Sequence, residues 1–138
     1  MRAKFLGFGK HVFLGHHVTF NDNVFINGTG KLTLGNYFHT GCNLTIITTN
    51  HNYENATVIP YNKVRIHKEA IIKAFVWFGN DIAIIPGLTT GEGAIITTRS
   101  VVVKDFLELA IVDGNPAQLI RYRDKEEFYK LKEEGKYS

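Results

Sequence analysis

A chain of 138 residues, 44% apolar and 21% charged, is long enough to bury a real core and lies outside the low-hydrophobicity, high-charge range of disordered chains. Its net charge of +3 and pI near 9.0 come from dispersed lysines and arginines, not a basic stripe, so no nucleic acid partner is expected. Its one cysteine, Cys42, excludes an internal disulfide, and Lys73 and Asp81 interrupt its richest apolar stretch before the roughly 18 residues a membrane helix needs, so a soluble cytoplasmic protein with no membrane insertion is expected.

From the N-terminus onward a period of six organises the chain. Leu6, Val12, Val18 and Val24 form one apolar series, and Phe8, Leu14, Phe20 and Ile26 form a second, two residues behind. A two-residue shift at Gly28-Thr29-Gly30 resets the register. The series resume as Leu32, Phe38, Leu44 and as Leu34, Thr40, Ile46. Residues two apart in a strand share a face, so each hexad is predicted to be a short strand with an inward pair, its remaining residues turning a corner. Gly9, Gly15, Gly35, Gly41, Gly79 and Gly91 follow inward positions, where a φ above zero is expected to favour glycine.

Residues 48–63 break the period and are predicted to project as a loop, the kind of long excursion that carries function. The two series then return as Val64, Ala70, Val76, Ile82, Leu88, Ala94, Ser100 and as Ile66, Ile72, Phe78, Ile84, Thr90, Ile96, Val102. A helix would need a 3.6-residue period, and a stack of hairpins would need evenly spaced turn dipeptides. Stacked hexads instead predict a solenoid with one continuous apolar column. Beyond it, Asp124 with Glu127 forms a capping pair, and Phe128 with Leu131 gives an apolar edge to a short helix expected to cover an open end of the coil. The organisation expected is a repeat domain over residues 1–121, followed by a helix and tail over 122–138.

Several stretches carry a more specific signal. Asn43-Leu44-Thr45-Ile46 leads to His51; Val76-Trp77-Phe78-Gly79-Asn80 follows; then come Ile85-Pro86-Gly87-Leu88, Ser100-Val101-Val102-Val103-Lys104-Asp105, and Gly114-Asn115-Pro116-Ala117 with Arg121. Together they resemble the hexapeptide-repeat acyltransferases, in the branch of galactoside, maltose and capsule O-acetyltransferases and the xenobiotic acetyltransferases. The resemblance covers residues 34–121. It implies an all-β fold, a left-handed parallel β-helix with a projecting loop and a short C-terminal α-helix. It further implies a homotrimer with active sites between subunits, acetyl-coenzyme A as acyl donor, and the hydroxyl of a sugar, polysaccharide or nucleotide-sugar as acceptor.

The resemblance also assigns roles. His51 is the expected catalytic base, since an alcohol is a poor nucleophile and an imidazole with a reference pKa of about 6.5 can take its proton at neutral pH. Trp77, Gly79, Asn80, Thr98, Lys104 and Arg121 match the coenzyme A positions, the two cations answering its phosphates. Backbone N–H groups from Trp77 to Asn80 are candidate donors to the reaction's oxyanion. Asn21, Tyr53 and Glu54 are candidate acceptor contacts. Thr97-Thr98-Arg99-Ser100 departs from the family's Gly-Ala-Gly-Ser. No metal is expected: the zinc-dependent carbonic anhydrases of the same fold need three histidines, and His11 with His16 has no third upstream. Acyl transfer to an amino-sugar nitrogen or an antibiotic hydroxyl, and a non-catalytic scaffold, are the alternatives. Cys42 has no partner to activate it, so direct transfer without a covalent enzyme intermediate is expected.

Overall fold

The structure, a computed structural model, describes residues 4–138. The chain forms β1 (Phe5–Leu6), β2 (Val12–Leu14), β3 (Val24–Asn27), β4 (Leu32–Leu34), β5 (His39–Thr40), β6 (Leu44–Ile47), β7 (Thr49–His51) and β8 (Arg65–His67). It continues as β9 (Ala70–Ile72), β10 (Trp77–Phe78), β11 (Ile82–Ile84), β12 (Thr89–Thr90), β13 (Ile95–Ile96), β14 (Val101–Val102), β15 (Ala110–Gly114), β16 (Ala117–Tyr122) and α1 (Lys125–Glu133).

All of these strands but β7 and β8, which pair with each other, build three sheets that the chain visits in rotation. The first is ordered β1-β3-β6-β11-β14, the second β12-β9-β4-β2, and the third β16-β15-β13-β10-β5. Every pairing in them is parallel except β15 with β16. The registers give the coil lengths: 19 residues from Phe5 to Val24, 20 from Val24 to Leu44, 38 from Leu44 to Ile82, 18 from Ala83 to Val101 and 16 from Ile95 to Ile111. Eighteen is three hexads. The 20-residue coil absorbs the shift at Gly28-Thr29-Gly30, and the 38-residue coil carries the projecting loop.

The inward pairs stand where the period puts them. Val24, Ile26, Leu32, Leu34, Phe38, Leu44, Ile46, Ala70, Ile72, Val76, Phe78, Ile82, Ile84, Ala94, Ile96 and Val102 are all buried in one cluster, and Thr40, Thr90 and Ser100 are buried with them. The series fails at two places. Leu6, Phe8 and Leu14 are exposed in the first coil, and Val64 and Ile66 are exposed because they belong to the returning limb of the projecting loop. That loop therefore runs to residue 67 and not to 63.

The corner glycines work differently from expectation. Gly9, Gly15, Gly35, Gly41, Gly79 and Gly91 do not have positive φ. The left-handed corner residue comes two positions later, as His17, Tyr37, Asn43, Asp81 and Gly93. All but Gly9 are needed for close approach: a Cβ on Gly35 would lie 2.5 Å from Ala74 N, and one on Gly91 2.4 Å from Glu108 N, both backbone atoms of the next coil. At the equivalent corner of the next coil stands Thr97, whose hydroxyl bonds Asp113 and Ser100.

The C-terminus also corrects the expectation. Asp124 caps α1, its Oδ1 accepting from Glu127 N at 2.8 Å, and Phe128 is buried. The helix does not close the end of the coil. Tyr129 donates to Glu108, Lys132 pairs with Glu92 at 2.6 Å, Phe128 meets Phe75, and Tyr137 meets Tyr37. These partners lie on four successive coils, so helix and tail run along the corner between the second and third sheets. Among the described residues no helix is long and apolar enough to cross a membrane.

Candidate active site

The projecting loop is a β-hairpin. β7 and β8 pair antiparallel with Thr49 opposite His67, Asn50 opposite Ile66 and His51 opposite Arg65. Its base is fixed to the coil. Thr48 is fully buried, its N–H donates to Asn27 O at 2.8 Å, and its carbonyl accepts from Lys68 N at 2.8 Å. His67 braces the same point, its Nδ1 lying 2.8 Å from Thr49 Oγ1 and 3.4 Å from Thr29 Oγ1.

His51 ends β7. Past it the neck is closed by side chains, Asn52 Nδ2 donating to Asn62 Oδ1 at 3.2 Å and Asn62 N donating back to Asn52 O at 3.3 Å. The His51 imidazole lies flat on the Tyr61 ring, centroids 3.8 Å apart and planes 17° apart. Among the described residues neither ring nitrogen of His51 has a hydrogen-bond partner, which leaves the ring edge available to a ligand. His51, Tyr53 and Glu54 line one cavity of about 120 Å³ together with Asn52, Ile66 and Lys68. The structure thus brings three sequence-predicted residues together. Lys68 and Tyr61 were missed; neither stands out in composition or spacing, and only the folding back of the loop brings Lys68 to this cavity and Tyr61 onto the His51 ring.

The remaining candidates lie elsewhere on the coil. Asn21 holds a corner, its Nδ2 donating to Thr40 O at 2.8 Å. Trp77 is 57% exposed on the outer face of the third sheet, in register with His39 and Ile95, and borders a cavity of about 280 Å³ beneath the C-terminal helix. Gly79, Asn80 and Thr98 share one corner. There Asn80 N donates to Thr98 Oγ1 at 3.1 Å, and Asn80 Oδ1 accepts from Cys42 N at 2.7 Å.

The N–H groups of Trp77 and Gly79 are likewise taken, by Ala94 O at 3.0 Å and Ile96 O at 2.8 Å. The expected oxyanion donors at Trp77, Gly79 and Asn80 are therefore already spent on coil-to-coil bonds. Lys104 is exposed, its ammonium 5.7 Å from the Phe106 ring centroid. Arg121, in β16, lines a second cavity of about 280 Å³ with Ile95, Arg123, Asp124 and Glu127. Burial pushes the Arg123 guanidinium below its ordinary pKa, an effect that Glu127 opposes.

The hairpin leaves the coil between the first and second sheets, whereas Trp77 and Arg121 stand on the third. One chain therefore does not bring His51 to the Trp77 face. Among the described residues no group of three His, Cys, Asp or Glu side chains is placed to hold a metal ion.

No family model matches the chain. It is 32% identical over 128 residues to the Staphylococcus aureus acetyltransferase-family protein SAV2555, across 86% of this chain and 59% of that protein. It is 49% identical over 55 residues to the chloramphenicol acetyltransferase of Agrobacterium fabrum, across 40% of this chain and 26% of that protein. Among solved structures, the hexapeptide-repeat acetyltransferase VCA0836 of Vibrio cholerae, complexed with acetyl-coenzyme A, superposes with a TM-score of 0.78 at 27% identity, over 86% of this chain and 64% of that one. The chain thus spans less than two thirds of the length of each.

Proposed function

Because the chain belongs to the hexapeptide-repeat acetyltransferase family, we propose that it is an acetyl-coenzyme A-dependent O-acetyltransferase acting on a sugar-type hydroxyl, with His51 as general base. The observation that carries this reading is the His51 ring edge, free of internal hydrogen bonds, in a small polar cavity shared with Tyr53 and Glu54. Residues 4–121 form the catalytic coil and 122–138 its helix and tail, residues 1–3 of the expected 1–121 unit lying outside the described residues. The coil is left-handed, and the active protein is a homotrimer. Trimerisation supplies what one chain lacks, the Trp77 face of a second copy opposite the His51 hairpin.

Acetyl-coenzyme A supplies an acyl group already activated as a thioester. His51 takes the acceptor hydroxyl proton as the oxygen attacks the acyl carbon, and returns it to the departing sulfur, so no covalent enzyme intermediate forms and Cys42 is a bystander. The acceptor lies in the loop cavity against Tyr53 and Glu54. The exposed Gly79 to Thr98 corner, with Trp77 beside it, offers a shallow track for the pantetheine arm, and the exposed Lys104 and Arg121 suit its phosphates.

Titration calorimetry with acetyl-coenzyme A, followed by thiol release against a panel of sugar acceptors, tests this reading. Saturable binding is expected in the wild type, weakened about tenfold in Lys104→Ala, with turnover lost in His51→Ala. A folded protein that binds no acetyl-coenzyme A would displace the enzyme reading in favour of a scaffold.

A further inference from the structure

A general base is ordinarily held by a bond to its second ring nitrogen, which fixes both its orientation and its tautomer. His51 has no such bond among the described residues. Its one close aromatic neighbour is Tyr61, ten residues on along the chain and on the opposite limb of the loop, at 3.8 Å and 17°.

The neighbouring contacts tie this stack to the loop. Asn52 and Asn62 are the next residues on each limb, and they are hydrogen-bonded to each other. Asn62 Oδ1 also accepts from Val64 N at 3.1 Å, and His51 N donates to Asn50 Oδ1 at 2.9 Å. The stack and the amide pair are thus adjacent rungs across one neck. Tyr61 is 42% exposed and stands outside the buried core, so core packing does not account for it. Stacking covers the imidazole face and leaves its edge, where both nitrogens lie, open.

We propose that Tyr61 is a positioning residue, holding the plane of the His51 imidazole so that a ring nitrogen meets the acceptor hydroxyl. The inference rests on His51 being the base. Its chemistry requires an aromatic face and makes no use of the phenol hydroxyl, so phenylalanine should serve and an aliphatic or polar residue should not.

The test compares Tyr61→Phe, Tyr61→Leu and Tyr61→Ser with wild type, and with His51→Ala as the control for the base. NMR of the His51 ring protons reports the stack without reference to activity. They are expected upfield in the wild type and in Tyr61→Phe through the neighbouring ring current, and restored to ordinary positions in the other two. Tyr61→Leu and Tyr61→Ser should lose about ten- to a hundredfold in kcat, as a displaced catalytic group does. Their KM and calorimetric affinity for acetyl-coenzyme A should hold at wild-type values, which also verifies that each variant is folded.

Wild-type kcat in Tyr61→Ser with the upfield shift abolished, while His51→Ala is inactive, would overturn the positioning role. Ordinary His51 shifts in the wild type would overturn the stack. Undiminished turnover in His51→Ala would remove the base assignment and the inference with it, and is told apart from the other failures because the NMR shift would persist.

Discussion

Replacing Gly79 with alanine would insert a methyl group into a close contact between two coils at the proposed cofactor corner. The added Cβ would lie 2.5 Å from Thr98 Oγ1, 2.8 Å from Thr98 N and 3.1 Å from Thr98 Cα, where ordinary contact begins at 3.4 Å. Rotating the Thr98 side chain relieves only the first contact, and it sacrifices the bond from Asn80 N. The other two are with backbone, so the coils must part by several tenths of an ångström, or the hydrogen bond from Gly79 N to Ile96 O must stretch. Overpacking of this kind costs about 1–3 kcal/mol. A urea unfolding curve should show a lower midpoint at unchanged slope, and acetyl-coenzyme A affinity should fall at least about tenfold, the equivalent of ~1.4 kcal/mol. Gly79→Ala/Thr98→Ala should recover only part of the stability, since the backbone contacts remain. A Gly79→Ala protein with the wild-type midpoint would refute the close-approach account of the corner glycines.

Phe78→Ala removes a fully buried ring packed edge-to-face on Phe38 at 4.9 Å and should cost about 3–5 kcal/mol in the same urea assay. The Tyr129 phenol, whose hydroxyl donates to Glu108, has its pKa raised to about 12 from 10.0, chiefly by that hydrogen bond. Because the folded value is the higher one, the stabilisation is complete below about pH 10 and is lost as pH rises towards 12. Ultraviolet titration of wild type against Tyr129→Phe should show the missing phenol ionising near 12, and ionisation near 10 would contradict the bond. Asp124→Ala, removing the cap of α1, should cost about 1 kcal/mol by circular dichroism in urea.

The coil was legible because its period is imposed by burial. Wherever coils stack on both sides, the residues at inward positions are apolar or small, and Leu32 to Ile46 and Ala70 to Val102 could be assigned from spacing alone. Legibility ended where that constraint ended. Val64 and Ile66 continue the series by coincidence of spacing, yet they lie on a hairpin whose partners are Asn50 and its neighbours, not the core. The corner glycines were located correctly but explained by the wrong cause, because a sequence shows that a side chain is missing and not what occupies the space instead. Tyr53 and Glu54 could be tied to His51 by proximity in the chain. Tyr61 could not, since its approach depends on the Asn52–Asn62 pair that folds the loop back. The antiparallel return of β16 was not read in advance, because Gly114, at φ 103° where the chain folds back from β15, looks in a sequence like one more corner of the coil.

The closure of the hairpin base has a consequence for how such a protein can change. The bond between Lys68 N and Thr48 O rejoins the chain at the point it left, and Leu44 pairs with Ile82 across 38 residues as directly as Val24 pairs with Leu44 across 20. Thr49 and His67 bond Thr29 of the coil, and beyond them the coil's register does not depend on what the hairpin carries. Residues 53–60, beyond the His51–Tyr61 stack and the Asn52–Asn62 pair, are therefore exchangeable as a cassette: a tip of different length and lining would meet an unchanged coil and neck and, under the proposed function, would redirect acceptor choice without a new fold having to be stabilised.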